Sequence, residues 1–228
     1  MTHFASGDRI HLRNKKGRVY RLQLKEGAVF QFSGETIDHD EIIGLADGSE
    51  ITLSRGSRFF ALKPTLAEYT LHMKRGAQIL YPKDLALIPL WADVYPGSAV
   101  IEAGIGSGAL TIPLLNAIGE KGRLFSYEIR EDFAARALKN IEAYFDVSPV
   151  NDRLIVHHHD IYEGILEEAV DRVVLDLPEP HRVVPHAAEK LRSGGVFLCF
   201  LPTVPQVERA VSALREARVF EAIETFET

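Results

Sequence analysis

Gly104, Gly106 and Gly108 alternate with single residues directly after the apolar run Ser98-Ala-Val-Ile-Glu-Ala103. Glycines at a strand end let the chain turn sharply and let its backbone approach a ligand. The helix expected next, from Ser107 to Ile118, presents free N–H groups and the positive end of its dipole. An anionic group belongs there, either a pyrophosphate or the carboxylate of an amino acid. Glu128 ends the next strand, 24 residues after Gly104. An acid so placed accepts hydrogen bonds from both hydroxyls of a ribose. Together the loop and the acid point to an adenosine-containing cofactor. With Ala109 as third small residue, the glycines also satisfy the dinucleotide pattern. Two features favour S-adenosylmethionine instead: Glu102, which completes Glu-x-Gly-x-Gly-x-Gly, and the acid-plus-proline segment Asp176-Leu-Pro-Glu-Pro180 at the end of a later strand.

The elements that must position these residues fall into two textures. Residues 6–63 read as short strands: Arg18–Leu24 alternates polar and apolar, and Glu50–Ser54 and Arg58–Leu62 also suit strands. Turn signals at Asn14–Gly17, Asp47-Gly48 and Arg55-Gly56 separate them. Residues 64–95 form a connector with helices expected at Thr65–Met73 and Asp84–Ala92. From Pro96 strands and helices alternate. Strands are expected at 98–103, 122–128, 153–157, 171–176, 195–201 and 219–226. Helices are expected at 107–118, 131–145, near 162–168, at 182–191 and at 204–217. Alternation of this kind gives a doubly wound parallel sheet. The fold class is therefore α/β: a Rossmann-like domain at 96–228 preceded by a small β module at 1–63. Leu87, Leu90 and Trp91 share helical spacing and read as core. Cys199, in mid-strand, reads as a buried small hydrophobe.

Composition narrows the functional classes. The chain of 228 residues is 46% hydrophobic and 25% charged, a globular balance. One cysteine excludes a disulfide framework and a cysteine-based zinc site. His157-His158-His159 cannot chelate together, because successive strand residues point to opposite faces; no metal is expected. No apolar run spans a bilayer and no secretion signal opens the chain, so a soluble, cytoplasmic protein is expected. The net charge of −6 is uneven. Residues 1–84 carry 13 Lys+Arg against 10 Asp+Glu, whereas residues 85–228 carry 13 against 22. The run Arg13-Asn-Lys-Lys-Gly-Arg18 fits either a nucleic-acid-facing module or a solvated basic turn.

Four segments carry a family resemblance: Gln78-Ile-Leu-Tyr-Pro-Lys-Asp84, Glu102-Ala-Gly-Ile-Gly-Ser-Gly-Ala-Leu110, Ser126-Tyr-Glu128 and Leu175-Asp-Leu-Pro-Glu-Pro180. With Leu201-Pro202 and Gln206-Val207, they make the chain resemble the tRNA (adenine-58-N1)-methyltransferases over nearly its whole length. The resemblance implies a homotetramer that uses S-adenosylmethionine to methylate N1 of adenine 58 in the tRNA T-loop; some archaeal relatives also modify position 57. It implies that the amino-terminal module presents tRNA. It places Gly104, Gly106 and Ser107 to Leu110, including Gly108 and Ala109, against the cofactor. Glu128 would hold the ribose and Asp160 would face the adenine ring. Asp176 would sit between the methyl group and the target base, and Tyr81 would line the target pocket. The chain departs from the family pattern at Glu131-Asp132-Phe133. It also stops where members run on into a last strand, which leaves a sheet edge expected to be open.

Methyl transfer from a sulfonium needs alignment more than acid catalysis. Asp176 is suited to accept a hydrogen bond from the target's exocyclic amine and so enrich N1. Tyr81 either stacks on the base or packs beside Pro82. Arg13, Lys15, Lys16 and Arg18 are candidate phosphate contacts. Other readings stay open at this level: a methyltransferase for a small molecule or protein, a non-catalytic tRNA-binding subunit, and a nicotinamide oxidoreductase.

Overall fold

The computed structural model describes residues 3–76, 78–147 and 152–227. The chain divides into two compact units, 1–69 and 70–228. The helix α1 (Leu66–His72) straddles the division.

Among the described residues the first unit holds six strands: β1 (Arg9–Asn14), β2 (Val19–Gln23), β3 (Val29–Phe32), β4 (Glu35–Asp38), β5 (Glu50–Thr52) and β6 (Arg58–Leu62). They form a four-stranded antiparallel sheet in the order β2-β1-β6-β5 and a separate β3-β4 hairpin. Ile10, Leu12, Ile51, Phe59 and Ala61 point inward with Phe4, Leu24, Ile37 and Ile42. The rings of Tyr20 and Phe32 meet Phe59 edge-on at 5.8 and 5.3 Å, an arrangement that satisfies the ring quadrupoles. The β1–β2 turn is shaped by Asn14, whose Oδ1 accepts from the N–H groups of Lys16 and Arg18.

The second unit contains α2 (Pro82–Trp91), β7 (Ala99–Ala103), α3 (Thr111–Ile118), β8 (Arg123–Tyr127), α4 (Glu131–Phe145) and β9 (Leu154–His157). There follow β10 (Val170–Leu175), α5 (Val184–Lys190), β11 (Leu191–Cys199) and α6 (Val204–Ala217). The five strands are parallel, in the order β11-β10-β7-β8-β9. The chain runs outward from β7 through β8 to β9, then returns to the other side of β7 with β10. The carboxyl ends of β7 and its neighbours at that reversal are the place where ligands of open α/β sheets sit, in the crevice such a switch point leaves. Val100, Ile101, Val173, Val174 and Leu175 are wholly buried, as central parallel strands require.

Several expectations change. Helix α3 begins at Thr111 rather than Ser107. Gly106 and Gly108 have φ of +54° and +83°, left-handed values that a right-handed helix cannot include. The expected helix at 162–168 is only a 3-10 turn, Ile161–Glu163. No strand forms over 219–226: Ala222 stands at φ +51°, which breaks extended backbone in mid-segment. Trp91 and Leu90 are not core; they are 50% and 72% exposed. Helix α2 buries Asp84, Leu85 and Ile88 instead, so the other apolar stripe faces outward, where Trp91 meets the Phe226 ring at 4.5 Å. Cys199 is only half-buried, because β11 is an edge strand. Its thiol is still pushed up to about 11 by desolvation, which leaves it unreactive.

Candidate functional site

The crevice is built from the loops that follow β7, β8, β9 and β10. The first is Gly104–Leu110. Gly108 lies so close to α4 that a Cβ there would stand 2.9 Å from Ile141 Cγ1 and 3.3 Å from the Ala137 carbonyl. Glycine is required at this point on both steric and dihedral grounds. Ser107 is buried, and its carbonyl accepts from Asn140 Nδ2 of α4 at 3.0 Å. Ala109 and Leu110 are buried too. The loop is thus seated on one face of α4 before α3 begins.

Beneath the loop lies Glu102, fully buried on β7. Thr111 Oγ1 donates to its two oxygens at 3.0 and 2.9 Å, and Ser126 Oγ of β8 donates as well. Desolvation pushes its pKa up to about 8, more than those two hydrogen bonds lower it; the Asp176 charge adds to the rise. Glu102 is therefore a neutral acid at pH 7, fastening β7 to β8 and to the start of α3.

Glu128 is nearly buried at the end of β8. The Arg130 N–H donates to its Oε1 at 3.0 Å. Its Oε2 stands 3.6 Å from the point where a Gly104 Cβ would lie. The glycine loop and this acid are therefore direct neighbours, at the distance of an ordinary contact. Asp176 begins the loop after β10, and its N–H donates to the Ala103 carbonyl at 2.7 Å. Leu177 Cδ2 would lie 3.8 Å from a Gly104 Cβ. Asp176 is exposed as a residue, but protein crowds its carboxyl enough for desolvation to raise its pKa. Asp160, after β9, accepts from the Tyr162 N–H at 2.9 Å. Tyr162 Oη in turn accepts from the Glu179 N–H at 3.3 Å, and Gln206 Nε2 of α6 donates to the Pro178 carbonyl at 3.0 Å. The loops carrying Asp160 and Asp176 are thereby tied to one another.

The structure brings together Gly104, Gly106, Ser107, Gly108, Glu128 and Asp176, and joins Asp160 to them through Tyr162. It gives Tyr81 a different visible task. The Tyr81 carbonyl caps α2 by accepting from the Asp84 and Leu85 N–H groups, and the residue is 51% exposed. Among the described residues Tyr81 has no hydrogen bond or ring contact to Asp176. Lys15, Lys16 and Arg18 are exposed on the β1–β2 turn, whereas Arg13 Nη2 is held by Glu68 Oε1 at 3.1 Å. The histidine run splits: His157 pairs with Glu167 at 2.5 Å, and His158 is exposed. Among the described residues no cluster is arranged to hold a metal, and no helix is long and apolar enough to cross a membrane.

One cluster has no counterpart in the sequence reading. Tyr127 Oη donates to Glu167 Oε2 at 2.5 Å and accepts from the Leu166 N–H at 2.8 Å. With His157 on the other oxygen, Glu167 latches the loop after β9, which carries Asp160, onto the ends of β8 and β9. Burial and the neighbouring carboxylate raise the Tyr127 pKa, so it stays a phenol. No motif announces Glu167; only the fold sets it beside Tyr127.

A parallel sheet with this reversal, a glycine loop, an acid after the second strand and an acid-proline loop defines the class of S-adenosylmethionine-dependent methyltransferases. The comparisons agree. Residues 58–228 match the family model for the GCD14 subunit of the tRNA methyltransferase complex, and residues 3–51 match that for the TrmI-like amino-terminal region. The chain belongs to the GCD14/TrmI family of tRNA methyltransferases. It is 39% identical to the tRNA (adenine(58)-N(1))-methyltransferase TrmI of Thermus thermophilus, over 89% of this chain and 78% of that protein. It is 34% identical to a Methanocaldococcus jannaschii relative named for adenines 57 and 58, covering 80% of this chain and 72% of that one. Among solved structures, a Thermotoga maritima protein described as a SAM-dependent O-methyltransferase superposes with a TM-score of 0.84 at 33% identity, covering 93% of this chain and 78% of the other. The tRNA (m1A58) methyltransferase TrmI of Aquifex aeolicus gives 0.79 at 25%, covering 94% and 83%.

Proposed function

We propose that this protein transfers the methyl group of S-adenosylmethionine to N1 of adenine 58 in the T-loop of tRNA. The observation that carries the reading is the convergence of the Gly104–Leu110 loop, Glu128 and Asp176 at one sheet reversal, in a chain of this family. The residues present fit the cofactor: a glycine loop free of side-chain bulk at Gly104 and Gly106 lies next to the Glu128 carboxylate, whose Oε2 stands 3.6 Å from where a Gly104 Cβ would lie. In this reading Glu128 accepts from the ribose hydroxyls and Asp160 lies toward the adenine. Gly104, Gly106, Ser107, Gly108, Ala109 and Leu110 line the methionine side. When bound, the cofactor supplies an electrophilic methyl group on a sulfonium.

The remaining work is done by the chain's own residues. Asp176 is fixed through its backbone to the end of β7 and so has a defined position beside the loop. Its carboxylate accepts a hydrogen bond from the N6 amine of the extruded base, which raises electron density at N1. Tyr81, half-exposed ahead of α2, is the proposed wall of the base pocket. Residues 1–63 present the tRNA through Arg13, Lys15, Lys16 and Arg18, residues 64–95 connect, and residues 96–228 carry the chemistry. The working form is a homotetramer in the cytoplasm, on the strength of the family.

A transcript assay tests this. Labelled S-adenosylmethionine and a tRNA transcript should give a reverse-transcription stop at position 58. A transcript substituted at adenine 58 should not. Label incorporated into the substituted transcript without a stop would instead favour transfer to another atom, the reading that the O-methyltransferase description of the Thermotoga neighbour invites.

A further inference from the structure

The segment that follows α1 packs on the same face of α4 that seats the glycine loop. Asn140 Nδ2 donates to the Lys74 carbonyl at 2.8 Å and to the Ser107 carbonyl at 3.0 Å, so one amide joins this segment to the cofactor loop. One turn away, Gly76 lies against Arg136 and Phe133: a Cβ there would meet Arg136 Nη1 at 1.8 Å and Phe133 Cε1 at 3.3 Å. Phe133 is itself covered by two guanidinium groups, Arg130 at 3.3 Å and Arg136 at 5.4 Å from the ring centre. Lys74 and Arg75 are exposed; among the described residues neither has a carboxylate partner, and Arg75 Nη2 donates to the Leu71 carbonyl. The acids nearby are Asp132, 3.7 Å from Arg136 and mostly exposed, and Glu128, which faces Arg130 at 3.5 Å.

This gathers cations at the rim of the crevice on a body whose residues 85–228 are strongly acidic, with 22 Asp+Glu against 13 Lys+Arg. An excess of acid elsewhere makes such a patch the preferred landing point for a polyanion. Arg136 is half-buried beside the Phe133 ring, and its planar guanidinium fork has the geometry that suits phosphate oxygens. We propose that Lys74 and Arg75, on the segment that Asn140 and Gly76 seat against α4, together with Arg136 beside Phe133, form a phosphate-binding patch that grips the backbone of the RNA substrate beside the cofactor loop. This rests on the tRNA reading above and adds to it a surface outside the amino-terminal module.

The test uses the full chain with Lys74→Gln, Arg75→Gln and Arg136→Gln combined, and a second variant, Lys74→Arg with Arg75→Lys, that keeps the charge. Binding of a tRNA transcript is measured by filter retention over a series of salt concentrations, and S-adenosylmethionine binding by calorimetry. The neutral variant should bind tRNA at least about tenfold more weakly, with the slope of log Kd against log salt reduced by roughly two to three. Cofactor affinity should be unchanged, and the charge-keeping variant should bind tRNA as the wild type does. Unchanged tRNA binding and slope in the neutral variant, with wild-type binding intact, would overturn the patch alone. So would a loss confined to the cofactor. A wild-type protein that binds no tRNA would overturn the substrate reading and the patch with it.

Discussion

Glu102 shows how a single residue can be both a structural tie and a source of pH dependence. It sits fully inside the protein with its pKa near 8 against an ordinary 4.5. The folded state thus holds a proton that the unfolded chain releases. The unfolded state binds fewer protons between those values, so stability falls as pH rises from about 4.5 to about 8, and the loss is complete above that. Glu102→Gln keeps the shape and removes the ionisation; the Ser126 and Thr111 hydroxyls can turn to meet the amide. Denaturant unfolding across pH 5 to 9 should show the variant gaining on the wild type as pH rises, by on the order of a few kcal/mol at the alkaline end. Parallel curves would mean that Glu102 titrates normally. Asp176 has the same direction of shift but a different task. Asp176→Ala should lower turnover by about two to three orders of magnitude, the range for an electrostatic interaction made at the reacting group, with calorimetric cofactor affinity within a few-fold of wild type. Full turnover would remove Asp176 from the chemistry.

The glycine loop is an element whose conformation follows from two positions. Gly108→Ala would place a methyl group 2.9 Å from Ile141 and force a left-handed φ on alanine. The expected cost is about 1–3 kcal/mol of stability, with weakened cofactor binding, read by thermal unfolding with and without S-adenosylmethionine. Gly7→Ala has a similar dihedral but open space around it, so it should cost stability and leave cofactor binding alone. The same loop shows how much of the site is legible in sequence. Gly104, Glu128 and Asp176 declare themselves because a strand end, a glycine turn and an acid at fixed spacing have few other uses. α4 and α6 match residue for residue because their apolar period is unbroken. The start of α3 is not legible, because Ser107–Leu110 has helix-compatible composition and only the glycine dihedrals exclude a helix. The outward stripe of α2 is hidden for a related reason: periodicity defines a face, and Leu87, Leu90 and Trp91 are as periodic as Leu85 and Ile88. Glu167 and Asn140 are illegible because their partners are far away in sequence, and nothing local marks them as anything but surface acid and helical amide.

At the scale of the molecule, charge is uneven between the two units: residues 1–69 are near balance, with 10 Lys+Arg against 9 Asp+Glu, and residues 70–228 are acidic, with 16 against 23; the proposed function makes both of them touch one polyanion. In the first unit Lys15, Lys16 and Arg18 project from a turn whose backbone is held by Asn14, so their replacement should leave that turn folded. Arg13 is already held by Glu68 and is the weakest phosphate candidate of the four. The triple change Lys15→Gln, Lys16→Gln, Arg18→Gln should reduce the slope of log Kd against log salt for a tRNA transcript by up to about three, roughly one for each phosphate that is no longer neutralised. Cofactor affinity and the thermal midpoint should stay where they are, since all three side chains are exposed. An unchanged slope would make this turn a solvated hairpin end and leave RNA capture to the second unit. Combining these changes with Lys74→Gln and Arg75→Gln tests whether one RNA molecule bridges the units. Slopes that add mean simultaneous engagement, because each released counterion then belongs to a separate phosphate of the same bound RNA.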